Sequence, residues 1–96
     1  MLDILKGKEP EEDYLIICRG IHEAVRLCRC TIKHFESIHG AVTYNRPGLK
    51  IYFRDSYHRI RFVSREGADR AAIGFHGKIL YGYQVERMLE ELGVLS

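Results

Sequence analysis

Lysine, arginine and tyrosine side chains alternate with apolar ones along two short runs in the middle of the chain. Successive side chains of a strand point to opposite faces, so the alternation predicts a β-hairpin with one apolar and one basic face. Arginine and lysine bind phosphate oxygens, and an interleaved aromatic ring can stack on a nucleobase. The pattern therefore predicts a nucleic-acid-binding surface. Its candidate residues are Lys50, Tyr52, Arg54, Arg59 and Arg61 on the hairpin, with Arg65 and Arg70 in the segment that follows.

A basic strand face also has a purely structural explanation. Antiparallel sheets commonly expose one face to water, and lysine and arginine there solvate the sheet and protect its edges from aggregation. The distribution of charge favours binding. The net charge is only +2, yet residues 46–70 carry seven Arg or Lys against three acids, whereas residues 1–13 and 84–96 are acidic. A local positive field of this kind attracts anionic partners, but the sequence leaves both interpretations open.

Residue types that carry catalysis or bind metals occur without the spacing that those functions need. Structural zinc sites use Cys-x₂₋₄-Cys pairs in loops, whereas Cys28 and Cys30 lie two residues apart in a predicted helix, which points their thiols about 200° apart. The sequence contains no HExxH pattern and no phosphate-binding loop of the GxxxxGK[ST] type. Asp55, Ser56 and His58 are too close in sequence for a triad, whose members come from separate elements. We therefore expect no metal, no cofactor and no enzymatic activity.

Length and composition indicate one globular domain. The chain has 96 residues, of which 46% are hydrophobic and 29% charged. We expect residues 1–13, with Pro10 and five acids, to form an N-terminal arm and residues 14–96 to form a single α/β domain. The longest apolar run is too short for a membrane span, no signal-peptide pattern is present, and an odd number of cysteines suits reduced thiols. The sequence favours a cytoplasmic protein without membrane association, in which Cys18 and Cys28 are buried and reduced.

The hydrophobic periodicity predicts a fold of the α+β or α/β class. Apolar residues at three- and four-residue steps indicate two amphipathic helices, residues 21–38 and 83–92. Short apolar or alternating runs indicate a mixed or mostly antiparallel sheet of about five strands. We expect both helices to pack on one face of this sheet, with the basic face opposite or at an edge. The candidate strands lie at residues 14–18, 41–45, 49–53, 59–62, 71–75 and 78–83, and residues 64–70 are predicted to be a loop.

Part of the sequence resembles the segment before the Walker B strand in the large subunits of phage terminases and related P-loop ATPases. In that family a hairpin is followed by a loop similar to Arg-Gly-Phe, and the matching stretches here are residues 49–53, 59–65 and 74–77. The next strand of the family ends in acidic residues that serve magnesium and water, whereas residues 80–83 are Leu-Tyr-Gly-Tyr. The Walker A loop has no counterpart either. The resemblance implies an ATPase-like core that binds without turnover, and an origin in a phage or mobile element.

Charge, spacing and resemblance together predict a small non-enzymatic binding protein. The first hypothesis is a nucleic-acid-binding accessory factor encoded by a phage or mobile element. The second is a protein-interaction or regulatory module that acts as a homodimer through an exposed strand or an apolar helix face. The third is a small enzyme of unknown class. Salt distinguishes the first two, because nucleic-acid binding weakens steeply as counterion release is suppressed, whereas an apolar interface hardly responds.

Overall fold

The chain folds into a mixed β-sheet flanked by helices, and the computed structural model describes residues 12–39, 43–45, 48–53 and 57–94. The strand order across the sheet is the second, third, fourth, first and fifth strand of the chain. The elements are β1 (Tyr14–Cys18), α1 (Ile21–His39), β2 (Thr43–Asn45), β3 (Lys50–Tyr52), β4 (Arg59–Ser64), α2 (Arg65–Ala72), β5 (Lys78–Tyr81) and α3 (Gly82–Glu91). β1 lies between β4 and β5 and is parallel to both, whereas β3 is antiparallel to β2 and β4. The predicted mixed sheet with helices is therefore confirmed.

α1 and α3 bury their apolar stripes against one face of the sheet, as their three- and four-residue spacing predicts. An ion pair between Arg26 of α1 and Glu86 of α3 links the two helices at the surface. Cys18 and Cys28 are buried and free, in agreement with the sequence. The main core cluster includes Ile16, Cys18, Ala24, Leu27, Cys28, Phe35, Ile51, Ile60, Phe62, Val85 and Leu89.

The opposite face of the sheet carries a third helix, α2, which follows β4 without a linker. Its buried residue Ala68 packs against Leu15 and Val63. The sequence predicts a loop at residues 64–70 and a strand at residues 71–75, and both predictions are wrong. The loop prediction fails because tertiary packing on Ala68 stabilises a helix of low apolar content, and the first two residues of the predicted strand complete that helix. The described residues thus form three helices where two were predicted.

Other boundaries shift by one or a few residues, as is usual at helix and strand ends. α1 ends one residue later than predicted, and α3 begins one residue earlier. Of the strand predicted at residues 41–45, the structure describes the backbone of β2, and residues 41 and 42 lie outside the described part. The predicted N-terminal arm, residues 1–13, also lies outside it, apart from Glu12 and Asp13.

Gly77 lets the chain before β5 pass close to the start of β1. A β-carbon on this residue would overlap the carbonyl oxygen of Asp13 and lie 2.7 Å from the Phe75 ring. The adjacent backbone N–H of Lys78 donates a hydrogen bond to the same carbonyl, at 2.9 Å. The close approach therefore adds a hydrogen bond at the start of the parallel β1–β5 pair, and only glycine fits there.

Gly77→Ala is expected to lower the free energy of unfolding by about 2–3 kcal/mol, because the added methyl group must displace backbone atoms that cannot rotate away. Gly67→Ala is the matched control. Gly67 lies within α2, where an added β-carbon would find its nearest neighbour, Ser64 Oγ, at 3.9 Å. Alanine should stabilise this helix by roughly 0.5–1 kcal/mol. Urea denaturation measures both changes, and a Gly77→Ala protein as stable as the wild type would contradict the close approach.

Candidate nucleic-acid interface

The antiparallel register of β3 and β4 brings four of the predicted binding residues onto one face of the sheet. Lys50 lies opposite Arg61, and Tyr52 lies opposite Arg59. The intervening residues of the two strands are buried in the main core, on the other face. The alternation that the sequence shows at these positions is thus the alternation of the folded strands.

Two positively charged residues, Lys50 and Arg61, occupy directly opposite positions in this strand pair. Like charges at opposite positions destabilise a sheet, so a face that serves only for solvation gains nothing from the Lys50–Arg61 arrangement. The guanidinium carbon of Arg59 lies 5.9 Å from the centre of the Tyr52 ring, within the range of a cation–π interaction. The described part of the hairpin therefore presents three cationic groups and one aromatic ring on one face.

A cleft of roughly 320 Å³ opens beside these cations, and we call it the basic cleft. One wall is formed by Lys50, Arg59 and Arg61. The opposite wall is the segment that connects α2 to β5, which contributes Phe75 and His76 among others. The cleft is thus formed between the hairpin and a segment that the sequence predicts as a strand. The described residues that line it are Asp13, Tyr14, Lys50, Arg59, Arg61, Ala71, Ile73, Gly74, Phe75 and His76.

Asp13 is the only acid in the described lining of the basic cleft, and its carboxylate has partners on the protein. Oδ1 accepts a hydrogen bond from the backbone N–H of Arg59 at 3.0 Å and lies 3.4 Å from Nδ1 of His58. The carboxylate therefore holds the start of β4 against the start of β1. Three cationic side chains against one carboxylate leave the cleft with a positive potential suited to an anion.

Arg61 lies at the centre of the basic region and is half-buried. Its Nε atom is buried and makes no hydrogen bond to any protein atom in the described part of the chain. A buried donor without a partner costs about 1–3 kcal/mol. A neighbouring cleft of roughly 300 Å³ shares Arg61 and adds Arg70 of α2. Arg61 thus faces two adjoining clefts with a cation on each side.

The seven predicted binding residues therefore separate into three groups. One face of the sheet carries Lys50, Tyr52, Arg59 and Arg61. Arg70 lies next to this face, in the neighbouring cleft that it shares with Arg61. Arg65 lines a different cleft, at the carboxyl ends of β1 and β5. Arg65 is the first residue of α2. It therefore does not extend the binding face of the hairpin, as the prediction of a loop at residues 64–70 implied. Arg54 lies outside the described residues.

Asp13, Phe75 and His76 are the cleft residues that the sequence does not indicate. They lie far from the hairpin along the chain and reach it only because β5 pairs with β1 and the segment before β5 packs over the sheet. The acidic character of the first thirteen residues gives no hint that Asp13 engages the backbone of β4. No local pattern could have identified these three.

No protein-family model, no curated protein and no solved structure matches this chain. The resemblance to phage terminases therefore stays a prediction. Within the four described ranges, no group of three or more His, Cys, Asp or Glu side chains is arranged to hold a metal ion. None of the helices in these ranges has the length and apolar character of a membrane span.

Proposed function

We propose that this protein binds single-stranded nucleic acid through the basic cleft. The observation that carries the proposal is the pairing of Lys50 with Arg61 across β3 and β4, beside a cleft whose described lining contains a single, already engaged carboxylate. Such a pairing costs stability in the free protein, and a bound phosphate would offset that cost.

The scale of the cleft favours a single strand over a duplex. A volume of roughly 320 Å³ is in the range of a small-molecule pocket and could hold part of one nucleotide. Binding proteins for single strands combine a positive groove with rings on which bases stack. Tyr52 beside Arg59 supplies such a ring. The proposed role is binding without turnover, because Asp13, the one acid in the described lining, holds the backbone of Arg59 and approaches His58.

The first experiment is purification without nuclease at low salt, with measurement of the 260/280 absorbance ratio and of the absolute mass by light scattering. We expect co-purifying nucleic acid that a high-salt wash removes. Titration of a fluorescent single-stranded oligonucleotide should then give an affinity that falls linearly on a log–log plot against salt, with a slope of about −0.7 per phosphate contact. No binding at tens of micromolar protein and low salt would exclude the proposal, and a mass of two chains without salt dependence would favour the homodimer hypothesis.

Tyr52→Ala is expected to weaken single-strand binding by about 1–3 kcal/mol, the usual effect of removing a ring on which a base stacks. Tyr52→Phe should retain the affinity, because the ring and not the hydroxyl makes the contact. Leu92→Ala removes an exposed apolar side chain that lines neither the basic cleft nor the cleft at the carboxyl ends of the parallel strands, and it serves as the control. Fluorescence anisotropy at fixed salt measures all three. Equal affinities for Tyr52→Ala and the wild type would show that no base stacks at this position.

A further inference from the structure

Another, larger cleft of roughly 570 Å³ lies at the carboxyl ends of β1, β4 and β5, and we call it the strand-end cleft. α2 and α3 begin at the residues directly after β4 and β5, and two residues separate the end of β1 from the start of α1. α1 and α2 follow neighbouring parallel strands but pack on opposite faces of the sheet. Where consecutive connections diverge in this way, open α/β sheets form the crevice in which ligands bind.

Two tyrosines form an aromatic wall of the strand-end cleft. Tyr81 ends β5, Tyr83 lies in the first turn of α3, and their ring planes are inclined by only 11° with centroids 6.1 Å apart. The two residues are 51% and 63% exposed, although large apolar surfaces are usually buried. Gly82 between them is buried, and a β-carbon there would lie 2.5 Å from Oε1 of Glu23. The tyrosines thus flank a point where α3 and α1 approach closely.

Arg65 is the unbalanced charge in the strand-end cleft. The other guanidinium, of Arg19, is neutralised by Glu23, with Nη2 and Nε at 2.8 and 3.0 Å from Oε2. Burial tends to raise the pKa of the Glu23 carboxyl, but hydrogen bonds from the backbone and side chain of Arg19 outweigh it and lower that pKa, so this pair stays ionised. Arg65 forms no ion pair with any residue in the described ranges. The described lining of the cleft therefore offers one available positive charge beside exposed aromatic surface.

Cys18 also belongs to the lining of the strand-end cleft, and its side chain is buried in the main core. Burial, and then the charge of Glu23, raise its pKa to about 12. The thiol is therefore protonated and not nucleophilic at neutral pH, because only the thiolate attacks electrophiles. The chemistry of the cleft is accordingly that of non-covalent binding.

We propose that the strand-end cleft binds a small planar aromatic anion, with its ring against Tyr81 and Tyr83 and its anionic group at Arg65. The shared chemistry is a flat ring joined to a phosphate or carboxylate, supplied either by a mononucleotide or by an aromatic carboxylic acid. Ring stacking and a charge-assisted hydrogen bond would act together, as in pockets of this volume that combine apolar walls with few polar groups. The proposal does not depend on the basic cleft, since none of the described residues lines both clefts.

The test is a ¹H–¹⁵N NMR titration of the whole chain with four probes: adenosine 5′-monophosphate, indole-3-acetate, adenosine and inorganic phosphate. We expect a probe that combines ring and anion to shift the amides of residues 17–19, 65 and 81–83, with a Kd of about 1 mM or tighter. Adenosine or phosphate alone should bind at least about tenfold more weakly, because each makes only one of the two contacts. Preference for the nucleotide or for indole-3-acetate identifies the source of the anion, and either result supports the proposal.

Variants separate this site from the basic cleft. Tyr83→Ala and Arg65→Gln should each weaken binding about fivefold or more, whereas Tyr83→Phe and Lys33→Ala should bind like the wild type. The side chains of Tyr83 and Arg65 are exposed, so both losses should occur without a change in melting temperature. Shifts confined to residues 50, 59 and 61, or no shifts at millimolar probe, would overturn the proposal. Shifts at β5 that depend on protein concentration alone would also overturn it, because they would assign the tyrosines to a homodimer contact.

Discussion

Phe35→Ala is expected to lower the free energy of unfolding by about 3–5 kcal/mol, the range measured when a buried aromatic side chain is truncated. Phe35 is fully buried on the sheet-facing side of α1. Its ring meets the Phe53 ring edge to face, with centroids 4.9 Å apart and planes inclined by 86°. Truncation would remove this contact and leave a cavity between α1 and the end of β3. The loss is a large share of the 5–15 kcal/mol that stabilises a typical domain.

Lys33→Ala is the matched control for this prediction. Lys33 lies two residues earlier on α1 and is exposed, so its replacement should change stability by no more than about 0.5 kcal/mol. Urea denaturation followed by circular dichroism measures both variants under the same conditions. Losses of similar size at Phe35 and Lys33 would mean that α1 buries another face than the structure shows.

α1 could be predicted from the sequence because its signal is local and repeated. Nineteen residues carry an apolar stripe over five turns, and each step of three or four residues repeats the same information. β1 is a continuous apolar run, which is typical of a strand buried on both faces. Its burial by α1 on one face and α2 on the other explains that composition. The parallel pairing of β1 with β4 and β5 has no local signal and could not be predicted.

α2 could not be predicted because its residues carry no strong helical signal. Its sequence, REGADRAA, contains a glycine and only small apolar side chains. An isolated helix of eight residues is unstable in water, so this one depends on the contacts of Ala68 with the sheet. The run that follows is apolar, and short apolar runs do not distinguish strands from the ends of buried helices. Because this segment was predicted to be a strand, the sequence did not predict that it forms one wall of the basic cleft.

The sequence predicted the site residues whose position depends on strand alternation. It missed the site residues that the sheet topology brings to the hairpin. Lys50, Tyr52, Arg59 and Arg61 lie on one face because side chains alternate with period two. Arg65, although adjacent in sequence, begins a helix and turns to the other end of the sheet. The prediction of the hairpin face was therefore correct, but Arg65 was wrongly added to it because it is close in sequence.

The combined variant Arg59→Ala and Arg61→Ala should weaken binding of single-stranded nucleic acid at least about tenfold at low salt, because a hydrogen bond to a charged group contributes about 1.5–3 kcal/mol. The loss should be similar for all sequences, since phosphate contacts carry no sequence information. The slope of log affinity against log salt should fall by about 1.4, which corresponds to two lost contacts with a single strand. Anisotropy titrations at several salt concentrations measure both quantities.

Stability is a separate readout for this variant. Arg59 is exposed, so its replacement should change stability little. Replacement of Arg61 removes the packing of its aliphatic stem, which destabilises the protein. It also removes a buried donor that has no partner in the described part of the chain, which stabilises the protein. These two effects oppose each other, so the free energy of unfolding should change by no more than about 1 kcal/mol. Removal of Arg61 also relieves the repulsion with Lys50 across the strand pair. A weakened affinity in a stably folded protein can then be assigned to the cleft.

The matched control removes two positive charges from the helical face. Arg29 of α1 and Arg87 of α3 are both exposed, on the side of the sheet opposite the basic cleft. Arg29→Ala with Arg87→Ala changes the net charge by the same amount, so it reports the contribution of overall charge to the encounter. Its salt slope should match that of the wild type, because counterions are released only where phosphates are contacted. Equal losses of affinity and slope in the two double variants would show that the protein attracts nucleic acid through its overall charge, without a defined contact at β3 and β4.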